Sequence, residues 1–155
     1  MRCAIALGTL AAAALTACGG EGVGPQHGPL RLDAAVGRSV IRFGDTTSLV
    51  FRLRNLSDDS VVLTFNDSCQ VLPYITTRRA DQVVHPSGGA WGCFDIITTL
   101  TLAPRGERVT AVLVRGGAEA IHPAISLLPG QYRAYARLDH PDFPLRSASV
   151  SFRIE

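Results

Sequence analysis

From Leu30 onward, apolar and polar residues alternate with a period of two, in runs broken by turn formers every eight to fifteen residues. Leu49, Phe51 and Leu53 alternate with Val50, Arg52 and Arg54, and Val61, Leu63 and Phe65 with Val62, Thr64 and Asn66. Tyr132, Ala134, Ala136 and Leu138 alternate with Arg133, Tyr135, Arg137 and Asp139, and Val150, Phe152 and Ile154 with Ser149, Ser151 and Arg153. A strand points successive side chains to opposite faces, so each run offers one apolar face and one wet face. That is the pattern of antiparallel strands covering a single core. Phe51, Leu53, Leu63, Phe65, Tyr132, Ala134, Ala136, Leu138, Val150 and Phe152 should therefore face inward, and Arg52, Arg54, Arg133 and Arg137 should lie on the wet faces.

Asn55-Leu56-Ser57-Asp58-Asp59, Ala103-Pro104-Arg105-Gly106-Glu107 and Leu128-Pro129-Gly130 separate the runs and are strong turn sequences. Further strands are expected near Leu32–Val36, Val71–Thr77, Phe94–Leu102 and Arg108–Val114. Ala118–Leu128 is the one stretch with a trace of helical period, and Pro123 interrupts it. Seven to nine short strands with this spacing predict an all-β fold, an immunoglobulin-like antiparallel β-sandwich over residues 30–155. At 155 residues the chain has room for one sizeable core.

The start of the chain reads differently. Arg2 is followed by an apolar run from Ala4 to Leu15, too short to span a bilayer, which takes about 20 residues. It suits the apolar segment of a secretory signal. Leu15-Thr16-Ala17-Cys18 then matches the bacterial lipoprotein signal, which predicts a signal peptide over residues 1–17 and lipidation of Cys18. Several acyl chains would give an anchor that one chain does not. Gly19, a neutral residue after the lipidated cysteine, favours the outer membrane or outer surface of the cell envelope over the inner membrane. Residues 18–29 hold many Gly and two Pro, which predicts a flexible tether with an r.m.s. span of about 17–20 Å and a solvated, inert His27.

With Cys3 in the leader and Cys18 in the anchor, Cys69 and Cys93 remain as a pair. Export puts them in an oxidising compartment, where a disulfide pinning the Gln70–Gly92 excursion is expected. Their spacing fits neither a redox C-x-x-C nor a zinc ribbon.

The formal charge is +2, from 15 cations against 13 acids, too balanced for a protein that binds nucleic acid by neutralising phosphates. All 15 cations are Arg, which excludes lysine Schiff-base and P-loop chemistry. G-x-S-x-G, H-E-x-x-H, P-loop and G-x-G-x-x-G motifs are absent from the sequence. Ser57, Asp95 and His140 supply triad residue types without a nucleophile motif. Asp139-His140-Pro141-Asp142 offers oxygen and imidazole donors, but a solvated turn between strands is the expected reading. His85, His122 and His140 each precede Pro and so belong to extended or turn backbone. The sequence predicts a non-catalytic domain with no cofactor and no metal.

Leu53-Arg54-Asn55-Leu56-Ser57-Asp58-Asp59-Ser60-Val61-Val62-Leu63-Thr64-Phe65 resembles the opening of the Bacillus-type intracellular proteinase inhibitor (BsuPI) domain. That opening is a strand ending in Asn, a Ser-Asp turn and a strand ending in Phe. Ser68-Cys69-Gln70 stands where the family has Ser-Gly-Gln, with Tyr74 near its aromatic strand. Leu102-Ala103-Pro104-Arg105-Gly106-Glu107 resembles its Leu-x-Pro-Gly-Glu turn with Arg inserted. Leu128-Pro129-Gly130-Gln131-Tyr132 is similar to its last strand. The resemblance runs from about Asp45 to Leu138; the family's Tyr-Asp-Phe run and Trp-rich segment are not reproduced, and Cys69 and Cys93 are additional. It implies a sandwich that inhibits or binds a peptidase through its loops, the alternative being a passive envelope lipoprotein that binds a protein or carbohydrate. The candidate partner-binding loop is Arg78 to Trp91, with the dibasic Arg78-Arg79 and the single Trp. Two placements are open for Trp91, on the loop surface or in the core.

Overall fold

A computed structural model describes residues 21–22, 26–119 and 122–155. The expected signal peptide, Cys3 and Cys18 lie outside the described residues. The strands are β1 (Glu21–Gly22), β2 (Gln26–His27), β3 (Leu30–Val36), β4 (Val40–Ile41), β5 (Thr46–Asn55), β6 (Val61–Phe65) and β7 (Val71–Thr77). They continue as β8 (Val83–His85), β9 (Thr98–Leu102), β10 (Glu107–Gly116), β11 (Ile125–Leu127), β12 (Gly130–Leu138), β13 (Leu145–Arg146) and β14 (Val150–Ile154). Eight of them have five or more residues, which agrees with the seven to nine read from the alternation. Among the described residues the sole helical element is a 3₁₀ turn over Ser87–Gly89, and Ala118–Leu128 supplies the short strand β11 instead of a helix.

The first sheet has the order β1-β3-β5-β10-β11, with β2 also on β3, and the second β4-β14-β12-β7-β8, with β13 on β12. β6 and β9 form a separate antiparallel ribbon. Most pairs are antiparallel, as expected, but β10–β11 and β14–β4 are parallel. The second of these arises because the chain leaves the first sheet after β3 and crosses to the far edge of the second. The two inner faces meet in one core, where Leu32, Leu49, Phe51, Leu53, Leu63, Ile75, Ala134, Ala136 and Leu138 are fully buried or nearly so. Every residue predicted to face inward does so, including Phe65, Tyr132, Val150 and Phe152.

Arg52, Arg54, Arg133 and Arg137 point outward, as the register requires. On the outer face of the first sheet Arg54 reaches Asp33 and Glu107, each at 3.4 Å, and Arg31 reaches Asp33 at 3.1 Å. These are half-exposed pairs that contribute no more than about 1 kcal/mol each.

At the turn into β12, the Tyr132 hydroxyl donates to the carbonyl of Leu128 at 2.7 Å. A Tyr at the start of a strand bonding back to the backbone a few residues upstream is the tyrosine corner of immunoglobulin-like sandwiches, and it fixes how the chain passes between sheets. The fold is therefore an all-β sandwich of immunoglobulin-like layout.

Strand register defines two ends. Val36, Thr46, Gly116, Gly130, Thr77 and Ile154 share the upper end, and Leu30, Asn55, Glu107, Leu138 and Val71 the lower. At the upper end the sheets close tightly: a Cβ on Gly116 would lie 2.8 Å from both the Arg42 carbonyl and the Ile154 side chain, so no larger residue fits. At the lower end the buried Asn55 side chain joins the turn after β5 to the turn after β9.

The segment expected to be a free tether departs from that reading. Glu21 and Gly22 pair with Ala35 and Ala34, and Gln26 and His27 with Arg31 and Leu30. The edge of β3 offers unpaired backbone groups that an extended chain can satisfy whatever its side chains. Gly28, at φ +59°, supplies the positive φ needed at the first position of the two-residue turn into β3. His27 is exposed, its ring meeting Phe143 edge-on with centroids 6.0 Å apart.

Candidate functional site

The excursion between β7 and β9 does not form one open loop. Its start is a tight turn, where Thr77 N–H donates to the Gln82 carbonyl and Asp81 N–H to the Thr77 carbonyl. Residues 83–85 then pair back on β7 as β8. Arg78 and Arg79 sit exposed in the turn at the upper end.

Trp91 occupies neither of the two expected places. It is half-buried outside the sandwich, over the outer face of the second sheet, meeting His85 and Tyr74 edge-to-face at 5.0 and 6.4 Å. Tyr74 in turn stacks on its cross-strand partner Tyr135 at 5.2 Å, and the Arg146 guanidinium lies 3.8 Å over the other side of Tyr135. This row spends its ring faces on itself and staples the excursion to β7 and β12. Burial beside Trp91 pushes the His85 pKa below the usual histidine value. Arg78 and Arg79 on one side and Trp91 on the other thus belong to different surfaces, because β8 folds the segment between them onto the sheet.

The expected disulfide joins Cys69 to Cys93, with Cα atoms 5.5 Å apart. It ties the end of the excursion to the connection between β6 and β7 at the lower end. Immediately after it, Phe94, Ile96 and Ile97 are 77%, 56% and 74% exposed. The alternation had extended strand β9 back to Phe94, but the strand begins at Thr98. Ile96 N–H donates to the Phe94 carbonyl at 2.8 Å, a three-residue turn at Asp95 that ends pairing.

This loop is exposed yet held. The Ser68 N–H donates to the Phe94 carbonyl and the Phe94 N–H to the Ser68 hydroxyl, both at 3.0 Å. Beyond the loop the Thr98 hydroxyl donates to the Asp67 carbonyl at 2.7 Å. Three large apolar side chains on a segment braced by a covalent bond and these hydrogen bonds form the most conspicuous apolar feature of the described surface. The sequence carried a sign of it: Ile96 and Ile97 are adjacent and both apolar, which breaks the period of two.

The triad residue types are not joined. The Ser57 hydroxyl donates to Asn55 Oδ1 at 2.7 Å, while His140 Nδ1 accepts from the Asp142 N–H at 3.2 Å. His140, expected in a solvated turn, is only 7% exposed, its ring against Phe65 and Phe143. The reason is that this turn folds back under the β6–β9 ribbon, where an imidazole is an adequate core neighbour. Asp139 pairs with Arg137 at 3.6 Å, so the 139–142 donors do not converge. Among the described residues, Asp67, Cys69 and Cys93 are the one group of three metal-ligating types within reach of each other, and their sulfurs are bonded together.

No known family and no curated protein matches the chain. Among solved structures, the sporulation control protein Spo0M from Bacillus subtilis aligns at TM-score 0.49 and 9% identity over 83% of this chain and 50% of that one. The Pseudomonas fluorescens alkylpurine DNA glycosylase AlkC, bound to DNA containing an abasic site analog, aligns at 0.47 and 15% over 82% of this chain and 30% of that one. The CARDB domain of Pyrococcus furiosus PF1109 aligns at 0.42 and 16% over 79% and 94%. The chain thus spans half or less of the first two.

Proposed function

We propose that this chain is a lipid-anchored envelope protein whose sandwich is a non-catalytic, protein-binding module, with a peptidase as the partner suggested by the BsuPI resemblance. The observation that carries the reading is the Phe94–Ile97 loop, apolar, exposed and braced by the Cys69–Cys93 bridge. A partner that covers such a loop gains apolar burial with little ordering cost, because the loop is already held. The Leu15-Thr16-Ala17-Cys18 sequence supports the anchor. The turn at Asp95 favours a second reading within the same class, docking beside a partner without entering its cleft, since a substrate-like inhibitor segment is extended.

The test uses the purified full-length protein in detergent with a panel of serine proteases. Stoichiometric inhibition of one of them, lost in Phe94→Asp at unchanged thermal stability, is the expected result for an inhibitor. No inhibition across the panel removes the inhibitory reading. Retained inhibition in Phe94→Asp removes the loop from it.

A further inference from the structure

We propose that the cleft lined by Arg78 and Arg79 at the upper end binds the phosphate of an anionic lipid headgroup, fixing the sandwich upright on the membrane that holds its anchor. The inference rests on the reading of Cys18 as the anchor. The cleft, of about 590 Å³, is walled by Thr77, Arg78, Arg79, the Pro129–Gly130 turn, Gln131 and Tyr132. A smaller hollow of about 170 Å³ shares Arg78 and Gln131 with it and adds Ser39, Ser151 and Arg153.

No carboxylate lines either space. The acid of the same turn, Asp81, is engaged by Arg133 at 3.1 Å. The Arg78 guanidinium meets only the neutral amide oxygen of Gln131, at 3.3 Å, and Arg79 makes no ion pair among the described residues. The Thr77 hydroxyl oxygen is buried there without a hydrogen-bond partner. Two forked cations lining one cleft free of carboxylates suit a tetrahedral oxyanion, which accepts parallel hydrogen bonds from guanidinium groups.

The fold says where that anion comes from. β1 runs down the edge of β3 from the upper end, with Glu21 opposite Ala35 and His27 opposite Leu30. Cys18 precedes Glu21 by three residues, and three peptide links span at most about 11 Å. The upper end is therefore the end held next to the lipid. The loops of the lower end carry Asp58, Asp59, Asp67, Asp95, Asp139 and Asp142 against Arg105 alone, whereas those of the upper end balance Arg38, Arg42, Arg78 and Arg79 against Asp45, Asp81, Glu119 and Glu155. An anionic surface therefore repels the lower end and leaves the upper one, with its acid-free cleft, to face the lipid. In this pose the Phe94–Ile97 loop points away from the membrane, free for a partner.

The experiment labels arginines in the full-length protein reconstituted in vesicles of phosphatidylcholine, alone or with about one-third phosphatidylglycerol. Phenylglyoxal modification, read by peptide mass, should slow at Arg78 and Arg79 by about fivefold or more in the anionic vesicles and stay unchanged at Arg105. Equal rates in the two vesicle types overturn the proposal, as does equal protection of Arg105. Protection in neutral vesicles by millimolar inorganic phosphate, matching that of the anionic lipid, makes the cleft a soluble-anion site and overturns the lipid assignment. The mass of the Cys18 peptide reports the anchor separately. If it is unacylated the anchor reading fails, and labelling with the same vesicles added to that protein decides the cleft alone.

Discussion

Asn55 ends β5 with 1% of its surface exposed, and its amide is the most heavily used side chain of the lower end. Its Nδ2 donates to the carbonyls of Asp59 at 2.7 Å and Ala103 at 3.0 Å, with a longer contact to Leu102 at 3.4 Å. Its Oδ1 accepts from the Ser57 N–H at 3.0 Å and the Ser57 hydroxyl at 2.7 Å. One amide thus closes the 56–60 turn and ties it to the turn leaving β9. Asn55→Ala removes four good hydrogen bonds, each with a net contribution of about 1 kcal/mol, while the exposed Asp59 and Ala103 carbonyls regain water. The expected loss is about 2–4 kcal/mol, or roughly 5–15 °C in Tm for a domain of this size. Asn55→Asp keeps the acceptor but turns a carboxylate toward two or three carbonyls, so it should be worse than Ala at pH 7 and recover partly in acid, where it can donate. Urea melts of the three proteins at pH 7 and pH 4.5 make the comparison. Asn55→Ala within about 0.5 kcal/mol of the parent, or Asn55→Asp as stable as it, would refute the role assigned to the amide.

Three further outcomes are expected. Phe51→Ala should cost about 3–5 kcal/mol through lost burial and a residual cavity, and its neighbour Arg52→Ala about 0.5 kcal/mol or less; the reverse order in denaturant melts would mean a register slip. Cys93→Ser opens a loop of about 25 residues and should cost about 3.5 kcal/mol in the chain-entropy model, which the parent under reducing conditions should match. Because burial lowers the folded-state pKa of His85, the folded protein binds fewer protons there than the unfolded chain, so its contribution to stability is complete above the ordinary histidine value and lost as pH falls below it. Stability measured from pH 7.5 to 5 should therefore decline, and decline less in His85→Asn; parallel curves would count against it.

What the sequence determined by itself is the layering. A period of two makes burial a property of each residue's parity, so Phe51, Leu63, Ala134 and Phe152 were assigned to the core, and Arg52 and Arg137 to solvent, without knowledge of which strands pair. The Cys69–Cys93 bridge was legible because only two cysteines remained once Cys3 and Cys18 were read as belonging to an expected leader and anchor.

The tertiary structure decided whatever depends on neighbours distant in sequence. Trp91 meets Tyr74 edge-to-face, and Tyr74 stacks on Tyr135 only because β7 and β12 are adjacent in register. The edge of β3 recruits Glu21–Gly22 and Gln26–His27 through backbone hydrogen bonds, and backbone bonding leaves no mark in a Gly- and Pro-rich sequence. Phe94, Ile96 and Ile97 have the composition of a strand, and the turn at Asp95, the bonds to Ser68 and the Cys69–Cys93 bridge hold them in solvent. The two-ended charge distribution is equally invisible in a chain of net charge +2. Alternating strands interleave the loops of opposite ends along the sequence, and the fold sorts them: Asp58, Asp59, Asp67, Asp95, Asp139 and Asp142 gather at one end, and Arg78 and Arg79 stand at the other.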